Sequence, residues 1–249
     1  NSGAKHLCIS RNSLRKYLGL PSDVITQLDL VVLFDDPTQE EKESLDMVGI
    51  HYATFNEIIN DPRERVFEYP HVDPEDILYI CYSSGTTGFP KGVMLSNRAF
   101  ITNLIAIASE VPEDTFKRHF CYLPLSHVFE RMCTSCCLYR GGSIGLMSGS
   151  VATMSQDMQL LKPTGMIAVP RVLMRIDQQI AKKLKGKKLL SYIFDQSVAF
   201  KHFLLMHNLP VAPLDMLLFN KIKQNNGGCV SQVVIGGAAL PADVHERLQ

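Results

Sequence analysis

The chain has 249 residues, of which 46% are hydrophobic and 20% charged, as in an ordinary globular protein able to bury a sizeable core. Its 25 Lys and Arg balance 25 Asp and Glu, so the basic excess typical of nucleic-acid-binding proteins is missing and we expect no nucleic-acid partner. Seven scattered cysteines favour reduced thiols over a disulfide framework. No apolar run approaches the roughly 18 residues of a membrane-spanning helix.

Strand-like and helical segments alternate in the first half of the chain. The predicted strands lie at 30–34, 77–82 and 92–95. The run at 77–82 is rich in aromatic and β-branched residues, which predicts a buried strand. A Glu-rich helix is predicted over 38–48, ending at Gly49. Ser96 is a suitable N-cap for a second helix over 97–110.

The same alternation continues in the second half. Further strands are predicted at 119–123, 164–169 and 230–235. Helices are predicted over 130–139, over 171–207 with a break near Gly186, and from Pro241 onward, with Pro170 opening the second of them. Strand–helix alternation of this kind predicts an α/β fold in which mixed or parallel β-sheets are covered by helices.

The most informative segment is YSSGTTGFPKG at 82–92. Its glycines let the backbone bring N–H groups close to an anion, and its hydroxyls add donors to phosphate oxygens. Lys91 supplies a flexible positive charge for a polyphosphate. The predicted phosphate-binding residues are Ser83, Ser84, Gly85, Thr86, Thr87, Gly88 and Lys91. The spacing is not the Walker pattern, because Phe89 and Pro90 separate Gly88 from Lys91.

This segment resembles the signature loop of the adenylate-forming superfamily, which includes acyl-CoA synthetases, luciferases and peptide-synthetase adenylation domains. The family usually has Thr where this chain has Ser83, a change that keeps the hydroxyl. Three later segments resemble family motifs in the same order, namely YLPLSHVFER at 122–131, AVPRVLMRI at 168–176 and GGAALP at 236–241. The first two of these are similar to the long-chain fatty acyl-CoA synthetase branch.

The resemblance implies a two-step reaction with ATP, Mg²⁺ and coenzyme A as cofactors and a fatty acid as substrate. Lys91 and His127 are the residues that it implies for catalysis, Lys91 at the leaving pyrophosphate and His127 near the carboxylate or adenylate. Gly236, Gly237, Ala238 and Ala239 would lie against adenine, since a loop with almost no side chains leaves room for a flat ring. Each of these segments also has a purely structural interpretation, as a hydrogen-bonded histidine or a tight turn.

Glu130 and Arg171 are candidate contacts of the acyl group or adenylate. Glu130 lies one helical turn after His127, and the alternative is a helix-start charge favoured by the helix dipole. Arg171 and Arg175 share one helix face, where solvated or salt-bridged side chains are the alternative. Cys133, Cys136 and Cys137 lack the second matched pair that a zinc site needs, so we expect no metal-ligating residues there.

The resemblance also predicts how the chain is organised. Residues 1–249 are expected to be part of the large N-terminal AMP-binding domain, because the family's Tyr-Gly-x-Thr-Glu segment, its ribose-binding Asp and its small C-terminal domain find no match within 1–249. We therefore expect the 249-residue chain alone to be weakly active or inactive. Other acid–thiol ligases of the superfamily and a non-catalytic nucleotide-binding module are the competing interpretations.

The lysine-rich run at 182–188 has two interpretations, a solvated helix end or a contact with acidic lipids. The family and the apolar substrate that it implies lead us to expect a cytoplasmic protein or one that lies peripherally on an intracellular membrane of the endoplasmic reticulum type. The sequence makes no prediction of the oligomeric state.

Overall fold

A computed structural model of the chain describes residues 2–63, 68–83, 88–150 and 152–248. Its internal contacts divide the chain into two compact units, an N-terminal unit of residues 1–72 and a C-terminal unit of residues 73–249. That residues 1–249 belong to one larger domain stays a prediction.

In its described residues, the N-terminal unit contains a three-stranded parallel sheet with the order β1-β2-β3 and helices that follow its strands. Strands β1, β2 and β3 span His6–Ile9, Leu30–Leu33 and Tyr52–Thr54. Helices α1, α2, α3 and α4 span Arg11–Leu18, Ser22–Ile25, Gln39–Val48 and Phe55–Ile59. The central strand β2 packs Val31 and Leu33 against Leu14 and Leu45 of the helices, which forms the core of this unit.

The boundaries of α3 follow from its capping residues and confirm the helix predicted over 38–48. The Glu41 backbone N–H donates to Thr38 Oγ1 at 3.2 Å, and the Thr38 backbone N–H donates to Glu41 Oε2 at 2.8 Å. This reciprocal capping box satisfies two N–H groups that the helix leaves free. Gly49 ends the helix in the left-handed conformation, with φ of 74°, where a residue with a Cβ would be strained.

The larger sheet of the C-terminal unit is parallel, and its four strands among the described residues have the order β7-β6-β8-β9. Strands β6, β7, β8 and β9 span Arg118–Cys121, Ser143–Leu146, Gly165–Ala168 and Gln232–Ile235. This sheet confirms the α/β prediction. Strand β8 is buried along its whole length, and a Cβ on Gly165 would lie only 1.9 Å from the Thr115 carbonyl oxygen, so this close approach requires glycine.

Helices cover this sheet. Helices α6, α7, α8 and α9 span Val128–Tyr139, Met154–Leu161, Pro170–Leu184 and Lys188–Met206. They are followed by α10 (Ala212–Leu214), a π-helical turn (Asp215–Phe219), α11 (Asn220–Asn225) and α12 (Ala242–Leu248). Gly186 separates α8 from α9 with φ of 82°, which confirms the predicted break. No helix in the described part of the chain is long and apolar enough to cross a membrane.

A two-stranded antiparallel hairpin precedes the larger sheet. Strands β4 (Ile77–Ser83) and β5 (Lys91–Ser96) pair so that Ser83 lies opposite Lys91. Helix α5 (Asn97–Glu110) then begins at Ser96, whose hydroxyl accepts from the Ala99 N–H at 3.2 Å, as predicted. The prediction that 77–82 is a buried strand is wrong, because β4 pairs only with β5 among the described residues and has intermediate or exposed residues throughout.

Candidate functional site

Three of the motifs found in the sequence meet at one edge of the parallel sheet. Segment 122–131 follows β6, Val169 and Pro170 follow β8, and 236–239 follows β9. Because these strands are parallel, their carboxyl ends lie at the same edge. The chain moves from β6 to β7 on one side and then returns to β8 on the other side of β6, so the strand order reverses between β6 and β8. Ligands of open α/β sheets bind at such a switch point.

His127 stands at the start of α6 on this edge. Its backbone N–H donates to the Pro124 carbonyl oxygen at 2.9 Å, which closes the turn that leads into the helix. The side chain is exposed and makes no capping hydrogen bond. The imidazole is therefore accessible to a ligand at the carboxyl edge of β6.

Glu130, one turn further along α6, is fully buried. Its Oε1 accepts from His119 Nε2 at 2.7 Å and from Thr134 Oγ1 at 3.2 Å, while its Oε2 accepts from the Leu123 backbone N–H at 2.9 Å. Burial raises the pKa of Glu130, but the hydrogen bonds from His119 and Leu123 outweigh it and hold the pKa below its usual value. The carboxylate therefore stays ionised and fastens the loop after β6 to the strand and to α6.

These contacts bear on the two interpretations of Glu130. Both carboxylate oxygens already accept hydrogen bonds from protein groups, and the side chain has no exposed surface. A direct contact with an acyl group or adenylate would require these bonds to break. The structure thus favours a positioning role. This role also differs from the alternative interpretation, a charge that interacts with the dipole at the start of a helix, because Glu130 pairs with the buried imidazole of His119.

The hairpin is docked beside this loop. The Arg131 Nε donates to the Leu125 carbonyl oxygen at 2.9 Å, and its guanidinium carbon lies 4.6 Å from the centre of the Tyr79 ring of β4. The Cys81 thiol donates to the Ser126 carbonyl oxygen at 3.2 Å. Since a strand advances about 3.3 Å per residue, Ser83 lies about 7 Å further along β4 from this contact. The start of the predicted phosphate-binding segment is therefore held close to the sheet edge.

Only the two ends of the predicted phosphate-binding segment lie within the described residues. Ser83 Oγ donates to the Lys91 carbonyl oxygen at 3.5 Å, and both residues are exposed. Lys91 forms no ion pair with any residue that the structure describes. Gly88 has φ of 102°, a conformation that favours glycine. Ser84, Gly85, Thr86 and Thr87 lie outside the described residues.

The loop after β9 is backed by an aromatic ring from α6. The Gly236 N–H donates to the Ala168 carbonyl oxygen at 3.2 Å, which continues the pairing of β9 with β8. A Cβ on Gly236 would meet the Phe129 ring at 2.9 Å. Gly237 has φ of 86°, and Ala238 and Ala239 are exposed. The structure thus brings the loops after β6 and β9 together through Phe129 and Gly236, and leaves a small-residue surface open.

Tyr122 follows β6, and Arg171 lies in the first turn of the helix after β8. Burial raises the pKa of Tyr122 to about 12, while the neighbouring Val169 backbone acts in the opposite direction. Tyr122 therefore remains a neutral phenol between the loops after β6 and β8. Arg171 is exposed in the first turn of α8, and its side chain has no hydrogen bond or ion pair within the described ranges. The structure does not join Arg171 to the other predicted site residues.

The cysteines of α6 belong to the core. Cys133, Cys136 and Cys137 are buried with Phe116 and Ile167. Burial raises the pKa of all three thiols, that of Cys133 to about 12, so they remain protonated. Among residues 2–63, 68–83, 88–150 and 152–248, no group of three or more His, Cys, Asp and Glu side chains is arranged to hold a metal ion.

Sequence reasoning missed the contacts that hold the site together, namely His119 with Glu130, Phe129 with Gly236, and Arg131 with Tyr79. Each joins two different elements, so no local pattern marks it. The one available signal was the pair of ionisable residues, His119 and Glu130, on either side of a strand-to-helix loop.

Comparison with known proteins supports the resemblance seen in the motifs. The chain is 34% identical over 229 residues to long chain acyl-CoA synthetase 4 of Arabidopsis thaliana, covering 88% of this chain and 34% of that protein. It is 32% identical over 247 residues to fatty acyl-CoA synthetase B of Dictyostelium discoideum, covering 96% of this chain and 37% of that protein. The chain thus spans about a third of the length of these curated relatives.

Solved structures show the same fold. The adenylation domain of a carboxylate reductase from Mycobacterium chelonae matches with a TM-score of 0.69 at 20% identity, covering 98% of this chain and 37% of that one. The A-PCP didomain of a carboxylic acid reductase from Segniliparus rugosus, solved with AMP, matches with a TM-score of 0.70 at 19% identity, covering 99% and 35%. The family model described as AMP-binding enzyme matches residues 2–249. The chain therefore belongs to the AMP-binding enzyme family.

Proposed function

We propose that the full-length protein activates a long-chain fatty acid with ATP, through an acyl-adenylate, to the acyl-CoA, and that residues 1–249 are part of its large N-terminal AMP-binding domain. The observation that carries the proposal is the meeting of the loops after β6, β8 and β9 at the switch point, with the β4–β5 hairpin docked beside them. The similarity to long-chain synthetases over most of the chain supports the choice of substrate.

In the proposed first step, a carboxylate oxygen attacks the α-phosphorus of ATP, and the bond to the departing pyrophosphate breaks. An anion must approach a polyanion, so positive charge and preorganised donors are needed around the phosphates. Lys91 fits this role because it is exposed, unpaired within the described residues and fixed at the start of β5. The hydroxyls of Ser83, Ser84, Thr86 and Thr87 would supply further donors to the leaving group.

Mg²⁺ that accompanies ATP would neutralise part of this charge. Among the described residues, no group of three or more His, Cys, Asp and Glu side chains is arranged to hold a metal ion, so this part of the chain would contribute phosphate-binding donors and no metal cluster of its own. In the second step, the thiol sulfur of coenzyme A attacks the acyl carbonyl carbon, and AMP leaves.

The remaining residues would bind and orient. The open Gly237-Ala238-Ala239 surface, backed by Phe129 at Gly236, offers a flat face to adenine. His127 would orient the carboxylate or the adenylate from the start of α6, and Arg171 is kept as a proposed contact. Glu130 would not touch the substrate. It would hold the loop that carries His127 in place through Leu123 and His119.

A different acid is the nearest competing proposal. Chains with this fold at about 20% identity or less include a malonyl-CoA ligase and o-succinylbenzoate-CoA synthetase, so the fold alone does not select a long-chain substrate. A nucleotide-binding module without catalysis is the competing proposal of another class.

The test is pyrophosphate release by the full-length protein with acetate, octanoate, palmitate or coumarate, each with and without coenzyme A. We expect palmitate to drive release and coenzyme A to accelerate turnover. Lys91→Ala should lower the rate on the order of 10²-fold, the usual effect of removing one electrostatic transition-state contact. Lys16→Ala, an exposed lysine of α1, is the matched control and should leave the rate unchanged.

Each outcome separates the proposals. Turnover of another acid but not of palmitate would keep the ligase chemistry and reject the long-chain substrate. ATP binding without turnover of any acid would support the non-catalytic module. An unchanged rate in Lys91→Ala would remove that residue from the proposed phosphate site.

A further inference from the structure

Two successive carbonyl oxygens just before His127 accept hydrogen bonds from side chains of other elements. The Leu125 oxygen accepts from Arg131 Nε of α6 at 2.9 Å, and the Ser126 oxygen accepts from the Cys81 thiol of β4 at 3.2 Å. The backbone that leads into His127 is therefore bonded both to its own helix and to the β4–β5 hairpin.

Arg131, in the first turn of α6, makes two contacts at once. Its Nε is bonded to Leu125, and its guanidinium carbon lies 4.6 Å from the centre of the Tyr79 ring, which is within the range of a cation–π interaction. A planar guanidinium can donate from its edge while its face stacks on a ring, which the compact ammonium of a lysine does less well. Arg131 thus joins the loop before His127 to strand β4.

Tyr79 contributes its ring to this junction. The ring also packs edge-on against Phe100 of α5, with 5.7 Å between the ring centres and 80° between the ring planes. The hydroxyl of Tyr79 is buried and has no hydrogen-bond partner among the described residues, and burial raises its pKa. The aromatic ring, and not the hydroxyl, therefore makes the contacts that hold β4 against α5 and α6.

The face of β4 that carries Tyr79 continues into the predicted phosphate-binding segment. Side chains alternate along a strand, so Tyr79, Cys81 and Ser83 lie on one face of β4. The pairing with β5 runs without a shift from Tyr79 to Ser83, which lies opposite Lys91. The position of Ser83 and Lys91 therefore follows from the position of Tyr79 and Cys81 against the loop before His127.

We propose that Arg131 and Tyr79 are positioning residues of the ligase reaction, which hold the β4–β5 hairpin at a fixed separation from His127. The inference rests on the proposed function. Neither side chain touches the substrate. Arg131 acts through the loop that carries His127, and Tyr79 acts through the strand that leads to Ser83 and pairs with the strand of Lys91.

The separation matters because the two groups that must cooperate lie on different elements. Lys91 begins β5 and is assigned to the leaving pyrophosphate, whereas His127 precedes α6 and is assigned to the carboxylate or adenylate. A misplacement of about 1 Å between reacting groups can lower a rate on the order of 10²-fold. A displaced hairpin can still bind ATP, so we expect kcat to fall more than KM for ATP changes.

The first test is pyrophosphate release by the full-length protein at varied ATP, with the acid that the wild type uses fastest. Arg131→Met keeps much of the side-chain volume but removes the charge and the Nε donor. We expect its kcat to fall about 10-fold, with KM for ATP changed less than about threefold. Arg131→Lys keeps the charge alone and should lie between Arg131→Met and the wild type. Arg15→Met, at an exposed arginine of α1, is the matched control and should leave kcat unchanged.

The second test separates the contact from general stability. Tyr79→Phe keeps the ring and should retain the wild-type kcat, whereas Tyr79→Leu should lower kcat about as much as Arg131→Met. The double variant Arg131→Met/Tyr79→Leu should be little slower than either single variant, because both substitutions remove the same contact. Circular dichroism establishes that each variant is folded at the assay temperature.

The third test needs no catalysis. Cys81 is half-buried and bonded to Ser126, so a hairpin that loses its contact with Arg131 should expose this thiol more often. Alkylation of Cys81, followed by peptide mass spectrometry, should be severalfold faster in Arg131→Met and Tyr79→Leu than in the wild type and Tyr79→Phe.

The outcomes distinguish this inference from the proposed function. No turnover of any acid by the wild type would contradict the proposed function and this inference with it. Wild-type turnover with an unchanged kcat in Arg131→Met and Tyr79→Leu would contradict this inference alone. The same conclusion follows if Tyr79→Phe is as slow as Tyr79→Leu, if the two losses add fully in the double variant, or if Cys81 reacts equally fast in all variants.

Discussion

The carboxyl edge of the parallel sheet and the β4–β5 hairpin contribute to the same candidate site in different ways. At the sheet edge, the loop after β6 is tied down by a buried carboxylate, and Phe129 packs against Gly236 of the loop after β9. In the hairpin, Ser83 and Lys91 are exposed, and Lys91 has no charged partner within the described ranges.

This difference distinguishes residues that position the site from residues that are available to bind a ligand. Polar groups whose hydrogen bonds are complete inside the protein have little left to offer a ligand, whereas exposed groups without partners gain contacts when a ligand arrives. Substitutions at the sheet edge should therefore change stability first and activity through geometry. Substitutions in the hairpin should change activity and leave stability nearly intact, as expected for Lys91→Ala.

The largest expected effect is at Glu130. Glu130→Ala should lower the free energy of unfolding by about 3–5 kcal/mol, because it leaves the buried His119 and the Leu123 N–H without an acceptor. Urea unfolding followed by circular dichroism measures this. Glu110→Ala, an exposed residue at the end of α5, should have little effect. A small loss of stability in Glu130→Ala would contradict the proposed difference between the two regions, since the sheet edge would then not depend on its buried carboxylate.

The same carboxylate predicts a dependence on pH. Because the pKa of Glu130 is lowered by folding, its contribution to stability is present above the unfolded-state pKa of about 4.3 and is lost as the pH falls through the folded-state value. The stability difference between the wild type and Glu130→Gln should therefore narrow below about pH 4. Unfolding midpoints in urea across an acid pH series measure it. A constant difference would show that the carboxylate charge does not matter.

A smaller effect is expected in the loop after β9. Gly236→Ala should cost about 1–3 kcal/mol, because a Cβ would meet the Phe129 ring and force it or the loop to move. If the loop moves, the affinity for AMP should fall as well, which isothermal titration calorimetry can measure. Gly149→Ala introduces no close contact and is the matched control. Unchanged stability would mean that Phe129 gives way freely and does not support the loop.

The smallest effect is expected where the hairpin joins α5. Ser96→Ala should cost about 1 kcal/mol, because it removes the hydroxyl that accepts from the Ala99 N–H. Thermal unfolding should show a correspondingly small fall in Tm. Ser109→Ala, in the last turn of the same helix, should not destabilise the protein. A loss as large as that of Glu130→Ala would contradict the view that the hairpin side contributes little to stability.

Local sequence patterns predicted much of the fold. Gly49 and Ser96 marked the helix ends where the structure has them, and Gly186 marked the break between α8 and α9. Capping groups and left-handed glycines act over a few residues, so a single sequence reveals them. The family motifs likewise identified the segments that lie at the carboxyl edge of the sheet.

The rest depends on contacts between distant residues. The apolar composition of β4 predicted burial, yet burial is decided by how many neighbours a strand has, and β4 pairs only with β5 among the described residues. Strand β7 and helix α7 were not predicted, because short elements with weak periodicity carry little signal. The Glu130–His119 pair joins α6 to β6, and Lys201 of α9 pairs with Asp215, a residue outside that helix.

The cysteines differ in exposure, so their reactivity can report when the protein opens. Cys8 and Cys229 are exposed, whereas Cys121, Cys133, Cys136 and Cys137 are buried, the last three in the core beneath the sheet-edge loops. A thiol-alkylating reagent should modify the exposed pair first, and intact-mass spectrometry would count the adducts one by one. Modification of the four buried thiols would then report each opening of the C-terminal unit, without any added probe.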